Sequence, residues 1–338
     1  MYVKIIAWFY FSPLNRIFGN KLCFYALAYF KSELNIIEMS EEEIKSIEEK
    51  RKYFKNKINQ EGIVLPGAYN ALTAKQIQQV GFEGVYISGA ALSASAGLPD
   101  IGLLTLSEFS FFIKYITQAV DLPCIADADT GFGEVINVVR TVQELESIGL
   151  AGMHMEDQVM PKRCGHLPGK TLISKANMCE KIRAACSARK DKNFLIIART
   201  DARSGEGFQK AVSRAKAYVD AGADLIFPEA LQSQKEFKDF AKEINVPLLA
   251  NMTEFGVSPL LSAKELFAIG YKVVIFPVSA LRVTMKNTEN LYQEIKKEGA
   301  QKSFLNKMQT RQELYELIDY EAYAKIDKKA ANYKNQKK

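Results

Sequence analysis

The stretch PCIADADTGFGEVINVVRTVQELESIGLAGMHMED, residues 123–157, decides the fold. It opens on a short apolar run, Pro123–Asp127, which reads as a buried strand. An amphipathic segment follows, Val135–Ile148, and Gly149 sits where a left-handed residue ends a helix. A second apolar run, Gly152–Glu156, comes directly after. Strand, helix and strand in this order form a βαβ unit of a parallel sheet. Both strands end on acids, at Asp127-Ala128-Asp129 and at Glu156-Asp157.

Outward from this unit the same alternation runs from residue 63 onward. Further strand runs are Val64–Tyr69, Gly84–Ser88, Phe194–Arg199, Asp224–Pro228, Pro247–Asn251 and Val273–Pro277. Helical patterns lie between them, among them Ala71–Val80, Lys175–Arg189, Gly207–Ala221 and Ala263–Ile269, and Gly81, Gly222 and Gly270 stand at their ends. Eight strands alternating with helices specify an α/β chain folded as a (β/α)8 TIM-type barrel. The rival is a doubly wound open sheet. That fold more often carries a glycine-rich phosphate turn after its first strand, and Pro66-Gly67-Ala68-Tyr69-Asn70 is no such turn.

In a barrel the C-terminal strand ends form one ring, where active sites are built. Here they read Ser88-Gly89, Asp127-Ala128-Asp129, His154-Met155-Glu156-Asp157, Arg199-Thr200-Asp201, Pro228-Glu229, Asn251-Met252-Thr253 and Pro277-Val278-Ser279. Loops must begin somewhere, so two or three ionisable endings mean little; acids on three strands with an arginine on a fourth mean more. Asp127 and Asp129 are two apart on extended chain and project to one side, where they repel unless a cation or proton lies between them. An oxygen-only ligand set suits Mg²⁺, with Glu156 completing the shell directly or through water. One of the two aspartates could instead cap the loop Thr130–Gly133. Arg199 suits a substrate carboxylate, or alternatively pairs with Asp201 or Glu229. Ser88, Gly89, Asn251, Thr253 and Ser279 offer further donors, as for a small polyanion.

Both histidines of the chain fall in the stretch His154–Lys170. Its Cys164 is flanked by Lys162, Arg163 and His166, and neighbouring positive charge favours a thiolate. The plainer reading is a basic surface loop. Gly165 and Gly169 would let the segment close over the ring as a mobile flap carrying an acid or base.

Hydrophobic content of 48% and charged content of 25% in 338 residues are those of an ordinary globular chain. The net charge of +6 collects at the two ends, so composition does not argue for a nucleic-acid partner. Five cysteines without CxxC spacing fit a reducing, cytoplasmic setting with free thiols. Residues 1–38 read as a leader apart from the rest. The apolar runs Ile5–Phe11 and Leu22–Phe30 are too short for the ~18 residues of a spanning helix, so no membrane anchor is expected. The segment lacks acids, as an organellar targeting peptide does, but arginine and serine are scarce; alternatively the working chain begins at Met39. Ser40 and Glu43 resemble a capping box opening a helix over Glu41–Lys57. Residues 39–327 read as a single barrel domain with C-terminal helices, and 328–338 as a disordered basic tail.

Taken together, Asp127-Ala128-Asp129-Thr130-Gly131-Phe132-Gly133, Glu156-Asp157-Gln158, Lys162-Arg163-Cys164-Gly165-His166 and Ala198-Arg199-Thr200-Asp201-Ala202 resemble the isocitrate lyase/phosphoenolpyruvate mutase superfamily. The resemblance runs from about residue 60 to about 327 and includes Asn251–Gly256 and Met308–Tyr315. The Lys-Arg-Cys-Gly-His run is a specific signal for the lyase branch, because the mutases lack that cysteine, and within the superfamily the chain most resembles the lyases acting on 2-methylisocitrate. It implies a Mg²⁺-dependent carbon–carbon lyase converting 2-methylisocitrate to pyruvate and succinate, in the methylcitrate cycle of propionate catabolism. Related lyases or hydrolases act on dimethylmalate, citramalate or oxaloacetate.

By the same resemblance the metal residues are Asp127 and Asp129, and the catalytic ones Cys164, Glu156, Arg199, His166 and Lys162. Substrate contacts fall on Ser88, Gly89, Ala90, Asp100, Cys164, Gly165, Arg199, Glu229, Asn251, Met252, Thr253, Arg282 and Arg311. The base is Glu156, His154 or a metal-bound water. A homotetramer exchanging C-terminal helices, about Leu281–Glu298 and Gln312–Lys325, is also implied. One departure is Ser88-Gly89-Ala90-Ala91, where close relatives carry Ser-Gly-Gly-Gly; the added methyl of Ala90 would crowd a substrate carboxylate unless the loop adapts.

Overall fold

The computed structural model describes residues 46–336. Residues up to Thr310 form one compact unit and those from Arg311 another. In the first, eight parallel strands alternate with helices. They are β1 (Ile63–Ala68), β2 (Val85–Ile87), β3 (Cys124–Asp127), β4 (Gly152–Glu156), β5 (Leu195–Thr200), β6 (Leu225–Pro228), β7 (Leu249–Asn251) and β8 (Val273–Phe276). The pairing order is β6-β5-β4-β3-β2-β1-β8-β7, and a parallel bridge between Ile226 and Leu248 joins the two ends. The expected (β/α)8 barrel is the fold, and each expected strand lies within two residues of its place.

Strand alternation divides the apolar residues into two cores. Inward-facing Ile63, Leu65, Tyr86, Ile125, Leu195, Ile197, Leu225, Phe227, Leu249, Val273 and Ile275 fill the barrel. The alternate residues, such as Ile87, Ala126, Met153, Met155, Ile196, Ala198 and Val274, pack outward against the helices. Moving up each strand, the inward positions turn from apolar to polar: Ile125 gives way to Asp127, Ile197 to Arg199, Phe227 to Glu229 and Leu249 to Asn251. The apolar lower layers thus form a floor for a polar mouth.

Helix α1 (Ile47–Gln60) plugs the opposite end. Phe54 and Ile58 join the barrel-interior core, and both are buried. Around them, Lys50 Nζ donates to Val120 O at 2.8 Å, Arg51 Nε to Leu150 O at 2.8 Å and Lys55 Nζ to Lys192 O at 2.8 Å, each just before a strand. The helix begins at Ile47 with a capping box between Ser46 and Glu49. This corrects the expected start at Glu41, since Ser46-x-x-Glu49 carries the same signature as Ser40-x-x-Glu43, which lies outside the described residues. Residues 1–38 also lie outside them.

Other helices of this unit are α2 (Ala71–Val80), α3 (Gly89–Ser95), α4 (Leu106–Gln118), α5 (Val135–Ser147), α6 (Lys175–Ala188), α7 (Ala202–Gly205), α8 (Phe208–Asp220), α9 (Gln234–Glu243), α10 (Ala263–Ala268) and α11 (Ser279–Glu298). The second unit contains α12 (Arg311–Leu317) and α13 (Tyr320–Gln336). Helix α13 is continuous to Gln336, through the described part of the segment expected as a disordered basic tail. Among the described residues no helix is long and apolar enough to cross a membrane.

Candidate active site

Register brings the acids of the mouth together. Asp127 on β3 pairs with His154 on β4, and Glu156 on β4 pairs with Arg199 on β5. Asp127 is buried, and backbone donors fix its carboxylate: Asp129 N–H to Oδ1 at 2.9 Å and Gly89 N–H to Oδ2 at 3.3 Å. A side chain at residue 89 is excluded, since a Cβ there would lie 2.8 Å from Asp127 Oδ2. Asp129 takes a left-handed backbone, φ 45°, as the chain leaves the strand.

Neither oxygen of Glu156 accepts a hydrogen bond, although both are buried. Arg199 Nε is 3.3 Å from its Oε2. Burial pushes the Glu156 carboxyl well above its usual range, against the opposing charges of Arg199 and Lys162. Burial likewise raises Asp129, to about 6, with Lys162 opposing and Asp127 and Asp100 adding to it. Burial also works against the Asp127 anion, but neighbouring positive charge, Lys162 and Arg199 included, outweighs it and holds that carboxyl below its usual range.

Arg199 lies among three carboxylates. It donates to Asp201 from Nε at 3.0 Å and from Nη2 at 3.1 Å, and its Nη2 is 3.3 Å from Glu229 Oε2. Phe227 supports the guanidinium from below, 5.1 Å from ring centroid to Cζ. Thus Arg199 pairs with both acids that were weighed as alternatives to a substrate carboxylate. Asp157 holds Asp201 in place by accepting its N–H at 2.9 Å, together with Thr200 Oγ1 at 2.8 Å and Tyr218 OH at 2.7 Å.

The segment 158–172 closes over this ring. Its base is a short antiparallel stem: Gln158 bridges Leu172, and Val159 N–H donates to Thr171 O at 2.8 Å. The Gln158 side chain grips the turn, donating to Arg163 O at 2.9 Å and accepting from Arg163 N–H at 2.9 Å. Two lysines and a histidine then tie the flap to the mouth. Lys162 Nζ reaches Asp129 Oδ1 at 2.8 Å and also pairs closely with Asp100. His166 Nε2 is 3.0 Å from Glu229 Oε1, and Lys170 Nζ is 3.1 Å from Asp201 Oδ1. Gly165 is seated on the ring itself, where a Cβ would lie 2.4 Å from Arg199 Nη2.

This docking reverses the expected state of Cys164. Its thiol is half-buried, and burial pushes its pKa up despite the His166 N–H and Arg199. Lys162 pairs with carboxylates instead, and His166 faces Glu229. The thiol is therefore held protonated.

Of the other expected substrate residues, Ser88 is buried and caps α3, accepting from Ala91 N–H at 3.3 Å, with Ala90 in the first turn. Asn251 Nδ2 donates to Glu229 Oε2 at 3.2 Å. Met252 turns outward into the sheet–helix core, and its Sδ accepts from Leu261 N–H at 3.3 Å, so its side chain is not at the mouth. Thr253 is half-buried in the following loop. Arg282 is exposed and engages the β7 loop, with Nε 3.5 Å from Glu254 Oε2 and Cζ 5.3 Å from the Phe255 ring. Ser279 also bonds to Glu254. Arg311 opens α12 in the second unit.

Sequence reading passed over Lys170, whose signal was its place at the far end of the flap facing an acidic strand end. It also left Tyr86 aside, although Tyr86, two residues before Ser88, shares its inward side. Tyr86 OH lies 2.7 Å from His154 Nε2, and the two rings stack. Burial pushes His154 down to about 4, so it is neutral at pH 7.

A parallel barrel whose mouth gathers six carboxylates (Asp127, Asp129, Glu156, Asp201 and Glu229 at strand ends and Asp100 from a turn) around Lys162, Arg199 and Lys170 defines a class of enzyme. Residues 54–296 match the phosphoenolpyruvate phosphomutase family, and the chain belongs to that family, within the isocitrate lyase/phosphoenolpyruvate mutase superfamily. Inside it, the chain is 55% identical over 265 residues to the 2-methylisocitrate lyase of Aeropyrum pernix, covering 78% of this chain and 85% of the relative. Among solved structures, 2,3-dimethylmalate lyase matches with a TM-score of 0.78 at 35% identity, over 83% of this chain and 93% of that one. A phosphonopyruvate hydrolase in complex with oxalate and Mg²⁺ matches with a TM-score of 0.76 at 31% identity, over 82% and 98%.

Proposed function

We propose that this mouth cleaves 2-methylisocitrate to pyruvate and succinate as a Mg²⁺-dependent carbon–carbon lyase. One observation carries the reading: the flap that bears Cys164 seats the adjacent Gly165 directly against Arg199 and Glu229. The 55% identity to a 2-methylisocitrate lyase supports the substrate.

The acids present fit a hard divalent ion. They outnumber the fixed cations, Glu156 has two buried oxygens without a hydrogen-bond donor, and Asp129 is driven toward protonation. A mouth this acidic repels a tricarboxylate unless a cation is added. Among the described residues no three His, Cys, Asp or Glu side chains form a complete metal cage. Mg²⁺ needs no such cage, since it keeps several waters and takes one or two carboxylates. Asp127 and Asp129 would hold it, with Glu156 alongside. Bound there, the ion would supply Lewis-acid polarisation of the substrate's hydroxyl and adjacent carboxylate oxygens.

The chain's own groups then move two protons. Glu156 takes the hydroxyl proton; the oxygen's electron pair forms the pyruvate carbonyl as the carbon–carbon bond breaks. That bond's electrons pass to the carbon of the departing succinate, and the Cys164 S–H delivers a proton to it. Lys162 and Arg199 offset the charge that builds on the departing half, with His166 beside them on Glu229. His154 is not the base, because it lies beneath Asp127 with Nε2 bonded to Tyr86.

The test is a panel of 2-methylisocitrate, 2,3-dimethylmalate, citramalate and oxaloacetate, each assayed for pyruvate or oxalate with Mg²⁺ and with excess EDTA. Pyruvate and succinate in equal amounts from methylisocitrate, lost with EDTA, are expected. No pyruvate from that acid, with turnover of another, would replace the substrate.

Self-association as a homotetramer is part of the same reading. Helix α11 buries none of its residues, and Val283, Met285, Tyr292 and Ile295 are exposed along it. Light scattering gives the mass that tests this. The free cysteines 124, 164, 179 and 186 suit a reducing, cytoplasmic setting.

A further inference from the structure

Below the proposed ion site, the barrel interior contains a polar pair that the reaction does not use. Tyr86 on β2 and His154 on β4 are both buried and meet inside the barrel. Tyr86 OH and His154 Nε2 are 2.7 Å apart. The imidazole is fixed in plane by Tyr86, stacked at 5.8 Å, and by Phe227, edge-on at 5.3 Å. Its other nitrogen, Nδ1, has no hydrogen-bond partner and lies 3.7 Å from Asp127 Oδ1.

Hydrogen-bond bookkeeping selects one tautomer. If Nε2 held the proton, it would donate to the Tyr86 oxygen, leaving the phenol proton without a recorded acceptor. A bare Nδ1 lone pair would then face a carboxylate. With the proton on Nδ1, Tyr86 OH donates to Nε2 and Nδ1–H points at Asp127. This arrangement gives the phenol proton an acceptor and turns an N–H, rather than a lone pair, toward the carboxylate 3.7 Å away.

We propose that Tyr86 and His154 are positioning residues for the divalent ion, acting through Asp127. The phenol holds the imidazole in its Nδ1–H form, and that N–H orients the inner side of the Asp127 carboxylate. Asp129 N–H shares Oδ1 and Gly89 N–H takes Oδ2, so the remaining lone pairs are directed up into the mouth. Catalytic hydrogen bonds commonly tighten once the site is filled, which suits a donor at this distance. Orientation of a ligand from behind by a fixed donor is a general device of metal sites. The inference rests on the ion site proposed above.

The test is Mn²⁺ binding, read from the loss of the free-ion electron paramagnetic resonance signal, for the full-length protein and three variants. Tyr86→Phe removes only the hydroxyl. His154→Leu removes both bonds, and His154→Asn keeps an N–H donor near the Nδ1 position. Tyr86→Phe and His154→Leu are expected to weaken Mn²⁺ binding roughly three- to tenfold, about what one oriented hydrogen bond contributes. His154→Asn should recover most of that loss, and kcat should fall more than KM rises. Should His154→Leu not fold, Tyr86→Phe decides alone. Wild-type Mn²⁺ affinity in Tyr86→Phe, with or without a lowered melting temperature, would overturn the proposal and leave the pair a packing feature. A wild-type protein that binds no Mn²⁺ would overturn the ion site, and this proposal with it.

Discussion

Replacing Gly165 by alanine is expected to hold the flap open without unfolding the barrel. The added Cβ would lie 2.4 Å from Arg199 Nη2 and 2.5 Å from Glu229 Cγ. Comfortable contacts between such atoms begin near about 3.5 Å, so the overlap is roughly 1 Å. Neither neighbour is free to yield. Arg199 is gripped by Asp201, and Glu229 by His166, Asn251 and its neighbour's N–H at 2.8 Å. Forcing a methyl into such a contact costs about 1–3 kcal/mol. Opening the flap relieves all of it, so the closed-to-open ratio should fall about 5- to 150-fold. Initial rates of pyruvate release at saturating substrate and Mg²⁺ should fall within that range. Trypsin should also cut faster at Arg163, which is exposed in the flap. The melting temperature should barely move, because of the flap's residues only Leu172, in its stem, packs against an apolar core. Wild-type kcat together with wild-type proteolysis in Gly165→Ala would refute the docked geometry.

Three further outcomes are expected. Alkylation of Cys164 by iodoacetamide, followed site by site by mass spectrometry, should rise with pH through a midpoint above the ordinary thiol range of about 8–9, since burial disfavours the anion; a midpoint below that range would restore the thiolate that the flanking cations imply. Gly89→Ala, whose methyl would lie 2.8 Å from Asp127 Oδ2, should displace that carboxylate and lower kcat by about a hundredfold; steady-state kinetics giving less than a few-fold loss would show that the carboxylate's position is not critical. Phe54→Ala should destabilise the protein by about 3–5 kcal/mol in urea titration while KM stays unchanged, because Phe54 is wholly buried in the floor of the barrel; a loss under about 1 kcal/mol would mean that α1 is no plug.

Much of this was legible in the sequence, for reasons the structure makes plain. Parallel strands covered on both faces read as short apolar runs, and all eight do. The period of two put Asp127, Glu156, Arg199, Glu229 and Asn251 on one inward row, so the ring could be assembled from strand ends. The same period placed Met252 outward, next to inward Asn251, a signal the family resemblance overrode. What could not be read were partners distant along the chain. Lys162 and His166 look like activators of Cys164 until the fold shows them paired with Asp129 and Glu229. Nor could the sequence choose between two capping boxes six residues apart, at Ser40 and at Ser46.

The most direct measurement is turnover of 2-methylisocitrate by Cys164→Ser beside its affinity for a product analogue such as oxalate, by calorimetry with Mg²⁺ present. The hydroxyl keeps the size of the thiol but gives up its proton far less readily, and a lost general acid typically removes about 10²–10⁴ in rate. Turnover should collapse by that factor while oxalate binds within about threefold of wild type. Near-wild-type turnover in the serine variant would contradict a thiol that protonates the departing succinate.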